Sequence, residues 1–169
     1  MSRVRIAVLA AGVTLAVCGC TRPVTVEAAE FAPDPVCGQV ILALPNQLGG
    51  LGQVPTTSQA TVAWGSGEII LRCGVAPPPP TDERCISVTS GAGVTIDWIE
   101  PAPDSELIPA HADVEGGAWT FITYGRVPAI EVVIATASAV ESPADILNAL
   151  SLPVDRAPAE RFCVGPTDY

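Results

Sequence analysis

The sequence predicts an α+β domain: an antiparallel sheet of about six strands, arranged as three hairpins, with an N-terminal and a C-terminal helix packed on one face and two disulfides bracing it. Three observations carry this. Short apolar runs come in pairs separated by glycine-bearing turns. Helical spacing appears only near the two ends of the domain. Four cysteines remain once the N-terminal segment is set aside, an even number that suits an exported domain.

The first residues read as an address. Arg3 and Arg5 precede an uncharged, mostly apolar run from Ile6 to Val17, which fits the n-region and h-region of an export signal. The run is too short to span a bilayer, which takes about 20 residues. Val17, Cys18 and Gly19 then fit the three positions ahead of a bacterial lipobox cysteine, so Cys20 is expected to receive diacylglycerol. Cleavage near Ala28-Ala29, leaving a soluble protein, is the competing reading. Residues 21–33 hold no sustained period and include Pro23 and Pro33, so they read as a tether that would reach about 45 Å when extended. The expected division is a signal peptide over 1–19, a flexible tether over 20–33 and a single α+β domain over 34–169.

Within the domain, Cys37, Val40, Ile41 and Leu44 recur at i, i+3, i+4 and i+7 before Pro45, the pattern of a short amphipathic helix, with a continuous apolar strand as the alternative. Gln47 to Gln59, rich in Gly and small polar residues, reads as a loop. Three hairpins follow. Thr61–Trp64 turns through Gly65-Ser66-Gly67 into Glu68–Cys73, and Cys85–Thr89 turns through Ser90–Gly93 into Val94–Ile99, where Val94, Ile96 and Trp98 share a face. Ala118–Tyr124 turns through Gly125–Pro128 into Ala129–Ile134, with Ile130, Val132 and Ile134 inward and Glu131 outward. Ser142-Pro143-Ala144-Asp145 then supplies an N-cap, Pro at the first helical position and an acid in the first turn of a closing helix.

Cys37, Cys73, Cys85 and Cys163 allow three connectivities. Cys73 ends one strand and Cys85 begins the next across a Pro-rich loop, so Cys73–Cys85 and Cys37–Cys163 are the expected pairs. No C-x-x-C occurs and the chain has 1 His, which argues against a structural zinc. The formal charge of −10 argues against nucleic acid as a partner, because phosphate binding needs a basic surface. Removal of Arg3 and Arg5 with the signal leaves six Arg against 18 carboxylates, a charge of −12.

Leu44-Pro45, Ala63-Trp64-Gly65, Leu71-Arg72-Cys73-Gly74-Val75, Cys85, Trp98 and Thr123-Tyr124-Gly125-Arg126-Val127-Pro128 resemble, in this order, an uncharacterised family of actinobacterial exported lipoproteins classed as domain of unknown function 3515. The resemblance covers about residues 35–163. It implies a location and a fold, and no activity or catalytic residue comes with it.

Candidate chemistry is sparse. His111 stands among Asp104, Glu106, Asp113 and Glu115, from which a general base or a hard-cation site can be drawn, but the spacing matches neither an EF-hand loop nor a zincin helix, so a solvated acidic loop is expected. Gly65-Ser66-Gly67 lies between two strands instead of on the strand-to-helix turn of a serine hydrolase. A phosphate loop is excluded because the sequence contains no Lys. Pro77–Pro80 is a polyproline segment, read as a stiff loop. Arg126, Tyr124, Trp64 and Arg72 form the candidate recognition patch, since aromatic and Arg side chains dominate binding hot spots. For Arg126 a structural role, pairing with an acid or capping backbone carbonyls, competes with recognition. No cofactor or metal is expected. The function these features suggest is that of an envelope lipoprotein on the extracytoplasmic face of the cell membrane, a non-catalytic binding module for an envelope protein or a cell-wall component. The alternative is a small hydrolase or metal-dependent enzyme built on His111 and its carboxylates.

Overall fold

The computed structural model describes residues 22–112, 116–137 and 142–164. Among these, the elements in chain order are α1 (Pro35–Ala43), β1 (Gln47–Leu48), β2 (Leu51–Val54), β3 (Thr61–Trp64), β4 (Ile69–Val75), β5 (Arg84–Thr89), β6 (Thr95–Glu100), a 3-10 turn at Ala110–Ala112, β7 (Ala118–Thr123), β8 (Ala129–Ala135) and α2 (Pro143–Val154). The strands form a sheet in the order β1-β2-β3-β4-β8-β7-β6-β5, with every neighbour antiparallel.

The three expected hairpins are β3–β4, β5–β6 and β7–β8. The sheet nevertheless has 8 strands and not about six, because β1 and β2 occupy part of the stretch expected as loop. Gly49 and Gly50 sit at φ 57° and 79°, the pair of positive angles that a tight primed hairpin turn requires. The flanking strands are too short for alternation to be read from them.

The long-range pairing is β4 with β8, in register from Ile69 opposite Ile134 to Arg72 opposite Glu131. From β4 the chain must then pass β8, β7 and β6 to reach β5, a lateral distance of about 19 Å at sheet spacing. Residues 76–83 make that crossing, and in polyproline geometry eight residues reach about 25 Å. The proline run is stiff where the chain has to bridge, not turn.

Both helices lie on one face, as expected. In α1, Asp34 Oδ1 accepts a hydrogen bond from Val36 N at 2.8 Å and Pro35 opens the helix, while Cys37 and Val40 point into the core. In α2, Ile146, Leu147, Leu150 and Val154 are buried, at the spacing of one helical face. They meet Val62, Trp64, Leu71, Trp98, Phe121, Ile130 and Val132 of the sheet.

The four cysteines form two disulfides, with different partners from those expected: Cys37 bonds Cys73 and Cys85 bonds Cys163. The expected Cys73–Cys85 pair assumed that β4 and β5 are neighbours, and three strands separate them. Cys73 faces the helices and meets α1 in the core, whereas Cys85 belongs to the row Ile99, Ile122, Glu131 on the opposite face.

The expected tether is a second correction. Residues 22–33 form a strap fixed on that opposite face. Val24 N donates to Pro55 O at 2.9 Å, Thr57 N to Val24 O at 3.0 Å and Val26 N to Thr57 Oγ1 at 3.0 Å. Val26 packs against Ala63 and Ile70, and Ala29 and Ala32 are buried. Phe31 N reaches Gly74 O at 2.8 Å. Gly74 has φ +98°, and a Cβ there would stand 2.4 Å from Ala32 N, so the approach needs glycine. The buried residues of the strap, Val26, Ala29 and Ala32, are few and small, and their spacing of three matches neither strand alternation nor the face of an α-helix.

Candidate functional site

The sheet face under the strap, toward which Glu131 was expected to point, contains buried charge. Arg72 in β4 and Glu131 in β8 are cross-strand partners. The guanidinium donates to both carboxylate oxygens, Nε to Oε1 at 2.8 Å and Nη2 to Oε2 at 3.0 Å, the bidentate geometry that fixes an Arg–carboxylate pair most firmly. Glu131 does point away from the helices, yet its side chain is only 4% exposed. His111, on the 3-10 turn, brings Nε2 to 3.1 Å from Glu131 Oε1, a close contact without the alignment of a hydrogen bond. Arg72 Nη1 also reaches Glu27 O of the strap at 3.4 Å.

Burial pushes the Glu131 carboxyl up, and His111 and Arg72 together outweigh it, holding the group below its ordinary value. A carboxylate held by a bidentate Arg is a weak base. The cluster therefore reads as a clasp joining β4, β8, the strap and the turn that carries His111. The expected solvated histidine loop is corrected accordingly: the His111 side chain is 18% exposed and faces Glu131. Asp113 and Glu115, the other members of the acidic set, lie outside the described residues. Among the described residues no three His, Cys, Asp or Glu side chains are placed to hold a metal ion.

The four residues of the expected recognition patch do not share a surface. Trp64 is fully buried in the helix-side core, where its Nε1 donates to Pro45 O at 3.0 Å. Arg72 lies on the other face in the clasp. Arg126 is 4% exposed and caps the end of α2, donating through Nη1 to Val154 O and Ala157 O and through Nη2 to Asp155 Oδ1 at 3.0 Å. That is the structural alternative foreseen for it. Tyr124 is half-buried. Beside it Gly125, at φ +71°, lies so close to the C-terminal segment that a Cβ would stand 2.0 Å from Arg161 O, so this corner seats the chain end.

A concave site lies elsewhere. β6 and β7 pair only at Trp98 with Thr123 and at Ile99 with Ile122, because Pro101 follows Glu100 and cannot continue a ladder. The strands diverge there, and residues 101–112 fold over the gap to leave a cleft of about 610 Å³ walled by Pro101, Pro103, Ile108 and Pro109, with Trp119 and Thr120 of β7 on one side and Glu100 and Asp104 at the rim. Thr120 Oγ1 is buried without a hydrogen-bond partner among the described residues. The loop is stapled by Glu83, whose Oε2 accepts from Ala102 N at 2.8 Å. Ser105, and then the Ala102 N–H, hold the Glu83 carboxyl below its ordinary value. Glu100 accepts from Arg84 Nη1 at 2.7 Å. Ala110 and Ala112 line the cleft while His111 between them turns to Glu131. Sequence reasoning missed both the clasp and the cleft. A Glu isolated in the apolar run Ala129–Ile134 and an Arg isolated in Ile69–Cys73 were the available signs of a buried pair, since central strands hold a charge only with its partner.

Residues 4–161 match the family described as a protein of unknown function (DUF3515). The chain belongs to this family. The match extends the earlier resemblance over nearly the whole sequence, including the N-terminal apolar segment. No curated protein and no solved structure matches the chain.

Proposed function

We propose that this DUF3515 chain is an exported lipoprotein of the actinobacterial type, anchored through Cys20 on the extracytoplasmic face of the cell membrane, and that its domain is a non-catalytic binding module. The observation that carries the second half is the cleft between the diverging β6 and β7, which collects apolar surface from Ile108, Pro109 and Trp119 beside the carboxylate of Asp104. Such a site suits a ligand that offers an apolar group together with a positive charge or hydroxyl donors, as an envelope protein segment or a cell-wall component can. His111 does not line this cleft and is committed to Glu131, so a hydrolase centred on it gains no support.

The test has two arms. Mass analysis of the mature N-terminus should find acylated Cys20, and Cys20→Ser should release the protein from the membrane fraction. An unmodified, soluble wild-type protein overturns the anchor. For the cleft, Asp104 is exposed, so Asp104→Arg should leave the melting temperature unchanged while abolishing capture of an envelope partner by cross-linking. Undiminished capture overturns the cleft as the site.

A further inference from the structure

We propose that the lipid anchor holds the domain directly against the membrane by one corner, formed by Arg22–Val24 and the β3–β4 turn, and presents the diagonally opposite β5–β6 turn outward. The inference rests on acylation of Cys20 as proposed above and goes beyond it, because it fixes which surface meets the lipid headgroups.

The argument is one of reach. A free tether over 20–33 would let the domain stand some 45 Å from the bilayer in any orientation. The structure removes that freedom. Val24 bridges Thr56, its N–H and C=O are both bonded to the 55–57 segment, and Val26 C=O accepts from Thr57 Oγ1 and Ser58 Oγ. Only the residues between Cys20 and Val24 can act as a leash, and four residues span at most about 14 Å. The same corner carries Val54, Gly65 and Ser66, which line a shallow depression with Arg22, Pro23 and Val24. Gly67 backs onto Val24, whose Cγ1 would be 3.2 Å from a Cβ at that position. The bilayer is therefore the occupant that the leash imposes on this corner.

The outward corner follows from the sheet. The β3–β4 turn lies at the end of the sheet where β4 starts at Ile69 opposite Ile134, and β5 is the strand at the far edge, five strand steps from β3, or about 24 Å. The β5–β6 turn at Ser90–Gly93 lies beyond Thr89 and Thr95, at the other end of the strands. Ser66 and Gly91 are both exposed, and Gly91 has open space around it.

The experiment uses the full-length acylated protein in phosphatidylethanolamine–phosphatidylglycerol vesicles that carry a headgroup nitroxide. Fluorophores are attached at Ser66→Cys and, separately, at Gly91→Cys, after the disulfides have formed. The expected result is quenching at Ser66 several-fold greater than at Gly91. A twelve-residue Gly/Ser insertion after Thr21 lengthens the leash by about 19 Å root-mean-square and should bring the two positions close to equality without altering acylation. Equal quenching in the uninserted, acylated protein, or stronger quenching at Gly91, overturns the apposition while leaving the lipoprotein reading intact. Mass spectra lacking the acyl chains overturn both.

Discussion

The two faces of the sheet solve the same burial problem in different ways. The helix-side face is mainly apolar: Trp64, Leu71, Trp98, Ile130 and Val132 pack against Cys37, Val40, Ile146, Leu147 and Leu150, and the stabilisation there scales with area removed from water. The strap-side face is covered over its central strands, while Cys85, Ser87 and Thr89 of the edge strand β5 stay exposed, and the covering segments supply little apolar area. Its middle is held by the Arg72–Glu131–His111 clasp and by backbone hydrogen bonds of residues 24–31. The first face tolerates loss of shape poorly, and the second tolerates loss of a partner poorly.

The comparison can be broken hardest on the helix side. Trp64→Ala removes one of the two largest buried side chains and leaves Pro45 C=O unpaired, and should cost about 3–5 kcal/mol, read as a shift of the urea midpoint with unchanged slope. On the strap side Arg72→Ala strands a buried carboxylate and should cost about 3 kcal/mol. The double variant Arg72→Met/Glu131→Leu should recover much of that loss, since replacing both charges by apolar groups is far cheaper than removing one. If the double variant is no better than the single one, the clasp supplies more than mutual neutralisation.

Acid sharpens the contrast. Glu131 titrates below its ordinary value in the folded protein, so the unfolded chain takes up its proton first. The stability this group contributes is complete above the ordinary carboxylate range and is lost as pH falls through the folded value. Urea midpoints measured from neutral pH downward should fall in that range, and Glu131→Gln should flatten the fall, whereas Leu150→Ala on the other face should shift the whole curve without changing its shape. A smaller effect belongs to the cap of α1. Asp34→Ala deletes the bond to Val36 N and should cost about 1 kcal/mol, read as a shift of the urea midpoint at neutral pH.

Local pattern was enough for the three main hairpins and both helices. Alternation over six or seven residues, Gly-bearing turns, the spacing of Cys37, Val40, Ile41 and Leu44, and Ser142-Pro143 are signals that neighbours along the chain create, and no distant contact reverses them. The same parity placed Ile130, Val132 and Ile134 on one face and Glu131 on the other. Parity sets Glu131 on the outward face but carries no information on whether that face is covered, and the strap side buries it.

By itself the sequence determined the α+β class, the three main hairpins and the engagement of all four domain cysteines in disulfides, because each is written in composition or in spacing of a few residues. The tertiary structure decided the pairing of β4 with β8, and both the disulfide partners and the clasp follow from that one choice. It places three strands between Cys73 and Cys85 and so redirects both disulfides, and it sets Arg72 opposite Glu131. The strap and the cleft were likewise decided in three dimensions. Strand order depends on which hairpin edges meet across a long loop, and a closure entropy that grows only as the logarithm of loop length leaves little trace of that choice in any local stretch of residues.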